Sequence, residues 1–109
     1  MDEQEFRKKC DAALEGLKKR LLEMCDESGF EVEGGGEKLE LVFEEPEAAK
    51  FVISPNTPAR QIWISALSTS FKLGWSGQAN DFVLDKSGET LGQVMSRILT
   101  QQLGTPIEV

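Results

Sequence analysis

The chain contains no histidine. Without imidazole, ordinary zinc sites, His-dependent catalytic triads and haem ligation by His are excluded. Cysteine is scarce: only Cys10 and Cys25 are present, with no CxxC spacing. On one helix they stand about 22 Å apart, at ~1.5 Å per residue. A disulfide needs Cα atoms within about 7 Å, so no internal bridge is expected and a reducing compartment follows. No run reaches about 18 apolar residues, so no helical membrane span is expected. The first residues are acidic, not basic and then apolar, so no secretory signal is expected, nor an Arg-rich presequence. Positive charge is also short. Twelve Lys and Arg face 19 Asp and Glu, a net charge of −7. That disfavours nucleic acid and anionic membranes as partners and favours cations or basic protein surfaces.

What is present fits one domain over residues 1–109, with 39% apolar and 28% charged residues. The charge is uneven. Residues 1–47 hold 15 acids and 7 bases, a net of −8, and the remainder is +1. Residues 3–25 repeat apolar side chains at three- and four-residue spacing: Phe6, Cys10, Ala13, Leu14, Leu17, Leu21 and Met24. This predicts an amphipathic helix. From Phe30 the period changes to two. Strands are expected at Phe30–Glu33, Leu39–Glu44, Lys50–Ser54, around Trp63, at Phe71–Trp75 and at Phe82–Leu84. Gly34–Gly36 read as a hairpin turn, because no Gly-Lys-Ser/Thr and no helix follow them. Ser68–Ser70 read as another turn. A second helix is expected over Glu89–Leu103, ended by Gly104 and Pro106. Helix, hairpin-linked strands, helix is the order of an α+β two-layer sandwich. Two helices then pack on one face of an antiparallel sheet of about six strands.

The stretch Pro55–Ser65 organises this plan. Two prolines fix a rigid turn, and a β-branched strand follows. Ile62 and Ile64 share one face, while Gln61, Trp63 and Ser65 share the other. Each helix has one apolar stripe, so both cover the isoleucine face and Trp63 turns outward among polar neighbours, a typical partner anchor. The alternative is that another part of the chain covers that face. Trp75 shares its strand face with Phe71 and Leu73 and reads as core.

No nucleophile–base pair, dinucleotide fingerprint or P-loop is present. The chemical resource is carboxylate. Glu23, Asp26 and Glu27 fall at i, i+3 and i+4 at a helix end, and Glu31 and Glu33 follow on one side of the first strand. Hard oxygen ligands of this kind suit ferrous or ferric iron, Mn²⁺, Ca²⁺ or Mg²⁺. The plain alternative is an acidic patch that keeps the protein soluble.

The segment from Phe51 to Ser65, with its Thr57-Pro58 turn and Gln61-Ile62-Trp63, resembles the signature of the frataxin family. Asp85–Leu91 is similar to that family's turn before its last helix. The resemblance spans nearly the whole chain. It implies the helix–sheet–helix fold and a non-enzymatic iron chaperone or regulator of iron–sulfur cluster assembly. The implied partners are a cysteine desulfurase and an iron–sulfur scaffold protein, and the implied cargo is weakly held Fe²⁺ or Fe³⁺. It places Glu3, Asp11, Glu23, Asp26, Glu27, Glu31 and Glu33 on or beside an iron-binding acidic ridge; helical spacing adds Glu15. It matches Trp63, with Gln61 and Asn56 beside it, to an exposed docking face, and sets Lys72 near a basic contact. A monomer in the bacterial cytoplasm is expected, rather than a matured mitochondrial chain. The sequence departs from the family pattern at Lys18, Lys19 and Leu22, where further acids are usual, and at Arg7, Cys25 and Gly29. The ridge is diluted, so docking is better kept than metal binding. Weak ferroxidase activity lacks a buried Glu-x-x-His di-iron pattern. A different reading is an acidic interaction module with no metal role.

Overall fold

The computed structural model describes residues 1–35 and 37–109. Helix α1 runs Glu3–Ser28 and helix α2 Leu91–Leu103. Between them lie β1 (Phe30–Gly35), β2 (Lys38–Phe43), β3 (Ala49–Asn56), β4 (Gln61–Ala66), β5 (Thr69–Ser76) and β6 (Asp81–Leu84). The strands pair in chain order as one antiparallel meander, β1 to β6. This is the expected two-layer α+β sandwich.

Period-two patterning decides which sheet face is covered. Leu39, Leu41, Phe51, Ile53, Ile62, Ile64 and Leu73 point to the helices and are fully buried. From α1 they meet Phe6, Cys10, Leu14, Leu17 and Leu21, and from α2 Val94, Met95, Ile98 and Leu99. Each buried aliphatic or aromatic side chain contributes about 1.5–3 kcal/mol. Phe30, Phe43 and Phe51 stack across the first three strands, with ring centroids 5.4 and 4.7 Å apart. Trp75 lies at the rim of the core, partly buried, edge-on to Phe82 at 5.3 Å and under the Lys9 ammonium at 4.3 Å.

The boundaries shift where turn chemistry outweighs hydrophobic period. Helix α1 continues to Ser28, because Gly29 takes the left-handed conformation (φ 81°) that closes a helix. Helix α2 starts at Leu91, not Glu89. Thr90 and Gln93 form a reciprocal capping box there. Gly34 and Gly35 belong to β1, paired with Leu39 and Lys38. Gly36, the third glycine of the expected turn, lies outside the described residues. Strand β3 runs through Pro55 to Asn56, so the turn is Thr57–Arg60. The Asn56 side chain accepts from the Ala59 amide to open it, and Arg60 (φ 56°) closes it. The β4–β5 hairpin turns at Leu67–Ser68, one residue earlier than expected. Both residues have positive φ (53° and 59°), which matches a two-residue hairpin between paired Ala66 and Thr69.

Candidate functional site

Two surfaces carry the candidate residues. The first is the sheet face opposite the helices. Trp63 is 36% exposed there, while its strand neighbours Ile62 and Ile64 are buried. Strand register sets Ser54 on one side of it and Lys72 on the other. The indole Nε1 donates to Gln61 Oε1 at 2.9 Å, and Lys72 Nζ stands 4.9 Å from the ring centroid. Cation and hydrogen bond together hold the ring in place. The ring therefore presents its apolar surface with its own N–H already satisfied. Asn56 lies directly opposite Gln61 across the β3–β4 pair, but its side chain is engaged by the Ala59 amide. The structure thus brings Gln61, Trp63 and Lys72 together as one platform and gives Asn56 a turn-forming part at its margin.

The second surface is α1 with the adjoining β1. Glu3, Asp11, Glu15, Glu23, Asp26 and Glu27 are all exposed on the helix, and Glu31 and Glu33 are exposed on the strand. They do not converge. Among the described residues, no three His, Cys, Asp or Glu side chains stand close enough to hold one ion. Glu3 is paired with Arg7 at 3.1 Å. Helical phase separates the others. Asp11, Glu15 and Asp26 fall on the flank toward β1, whereas Glu23 and Glu27 turn away from it. Where α1 meets β1, Cys25, Asp26, Glu31 and Glu44 line a shallow cleft. The Cys25 thiol donates to the Leu22 carbonyl at 3.5 Å.

Sequence reasoning missed Glu40. It stands opposite Glu33 on the outer sheet face and holds both Lys38 (2.9 Å) and Lys50 (2.8 Å). Hydrogen bonds from Lys50 and then Lys38 pull its carboxyl below the usual carboxylate range, and Glu40 in turn raises Lys50. The cluster inserts two cations beside the acidic strand. Only the pairing of β2 with β3 brings Lys50 there, so no local signal could have announced it.

A model of the Frataxin-like domain matches residues 1–105. The chain belongs to the frataxin-like family. Relatives include two proteins named iron-sulfur cluster assembly protein CyaY. The one from Pseudomonas fluorescens (strain Pf0-1) is 27% identical over 89 residues, 82% of this chain and 81% of that protein. The one from Azotobacter vinelandii (strain DJ / ATCC BAA-1303) is 25% identical over 97 residues, 87% and 86%. The solved frataxin from Psychromonas ingrahamii shares the fold with a TM-score of 0.76. It covers 99% of this chain and 97% of its own, at 22% identity. The frataxin-like architecture thus spans nearly the whole chain, whereas residue identity is sparse.

Proposed function

We propose that this frataxin-like chain serves iron–sulfur cluster assembly as a non-enzymatic regulator, docking on a cysteine desulfurase–scaffold complex. The curated relatives carry iron–sulfur cluster assembly in their names. The observation that carries the docking reading is the Trp63 platform. A large aromatic is ordered by Gln61 and Lys72 in the middle of the sheet face opposite the helices. An ordered indole that stays 36% exposed is a hot-spot anchor, because a partner can bury it at little entropic cost. The acidic half of the chain would steer that encounter toward basic partner surfaces. Iron enters as cargo. With no three carboxylates gathered among the described residues, an ion would meet at most two at a time and keep much of its water.

The test is Trp63→Ala. Its ring lies outside the core, so the variant should melt close to the parent. Its affinity for the desulfurase–scaffold complex should fall about tenfold or more. Unchanged affinity removes the docking role. The second reading, an acidic docking module with no metal role, is favoured by that dispersed carboxylate array. A ferrous titration followed by amide NMR separates the two. Shifts confined to the end of α1 and Glu31–Glu33 support iron handling, and silence there supports docking alone.

A further inference from the structure

The two edges of the sheet are built differently. At β6, the edge is short and covered. Val83 bridges to Thr90, and Leu84 bonds through its backbone with Ser87, Gly88 and Glu89, so the β6–α2 connection closes that side. At β1, six residues pair in unbroken register with β2 on one side, and among the described residues no strand pairs on the other. Strand β1 contains no proline and no bulge against its partner. Its outer row of backbone donors and acceptors is therefore an open template, the feature that soluble proteins usually blunt.

The surroundings of that edge are specific. The flank of α1 runs alongside it in the opposite direction. Lys18 Nζ lies over Gly35, close enough that a Cβ there would meet it. About two turns further along α1, Cys25 and Asp26 line the cleft with Glu31. Leu22 falls on the same helical flank, between these two points, and is 49% exposed. The lips of the edge are acidic: Glu31 and Glu33 on the strand, Asp11, Glu15 and Asp26 on the helix, and Glu37 beyond the turn. A second copy of β1 would bring Glu31 and Glu33 against their own like, which is unfavourable.

We propose that the open edge of β1 is a strand-addition site for an extended segment of a partner protein that alternates basic and apolar residues. The segment's backbone pairs with β1, its cations meet Glu31, Glu33 and Asp26, and an apolar side chain seats against Leu22. This goes beyond docking through the Trp63 face, which lies on the middle strands, and it stands independently of that reading and of iron.

The probe is a short peptide alternating lysine with valine, blocked at both ends, added to the full chain. Hydrogen exchange should slow about tenfold or more at alternate amides within Phe30–Gly35 and remain unchanged in β6. Backbone N-methylation of one alternating set of peptide residues should weaken binding about tenfold or more, while methylation of the other set should be tolerated. E31K and E33K, both at exposed positions, should weaken the peptide without unfolding the chain, and Trp63→Ala should leave it unchanged. Equal binding of both methylated peptides would mean charge attraction alone and overturn the proposal. So would an absence of β1 protection, or self-association of the chain in sedimentation that the peptide does not compete away.

Discussion

Cys10 and Cys25 sit on one helix and meet opposite surroundings. Cys10 is enclosed by the core, and burial, helped by Asp11, pushes its thiol up to about 11. Its folded-state value exceeds the ordinary 9.0, so the folded protein holds the proton longer than the unfolded chain. The sign follows: the Cys10 contribution is intact below pH 9, and stability falls as pH rises from there toward 11. Cys25 is half-buried beside the cleft at the end of α1. A thiol reagent at pH 8 should therefore modify Cys25 in the native state and reach Cys10 only after denaturant is added. Mass spectrometry of the labelled protein checks this, and early labelling of Cys10 would show that the core opens locally. The pair illustrates how far residue-level reading goes. Cys10 was legible as a stripe position from spacing alone. The meeting of Cys25 with Glu31 and Glu44 was not, because it depends on where the chain returns after Gly29.

Among the elements, α2 depends most visibly on its ends. Its first turn has no acidic side chain, so little charge offsets the exposed N–H groups there. Thr90 and Gln93 satisfy two of them reciprocally, at 3.3 and 2.9 Å. Thr90→Ala should cost about 1 kcal/mol, read as a lower denaturant midpoint with unchanged slope. No loss would show that the Thr90 hydroxyl does not hold the start of the helix. The sheet elements were readable from alternation, since Ile62 and Ile64 fall in the core and Trp63 outside it as the pattern requires. Their ends were not. The β4–β5 turn falls at Leu67–Ser68 because hairpin twist selects two left-handed residues, a demand that hydrophobic period does not record.

For the molecule as a whole, the division of charge governs long-range behaviour. The first 47 residues carry a net of −8 and the remainder +1. Those 47 residues build α1, β1 and β2, so the negative field lies on one side of the protein. Lys38 and Lys50 on Glu40 interrupt it locally without reversing it. Association with a basic partner should slow about tenfold or more between roughly 0.05 and 0.5 M salt, while dissociation changes little. Stopped-flow mixing checks this, and a flat salt dependence would remove steering by the acidic half.

The sequence alone determined the fold class and the side of the sheet that is buried. Each follows from local periodicity combined with the rule that a helix with one apolar stripe covers one face. It also determined which chemistry is missing, since a chain without histidine cannot gather imidazole ligands however it folds. Only the tertiary structure decided how the acids are arranged. Spacing along α1 suggested one cluster, but β1 lies beside one flank only, so Asp26 meets Glu31 at the cleft while Glu23 and Glu27 face away from the strand. Register, a long-range property, delivered Lys50 to Glu40 and Lys72 to Trp63. It also left the β1 edge open while the chain's return after β6 closed the other edge. Those juxtapositions join residues far apart in the chain, and no local pattern encodes them.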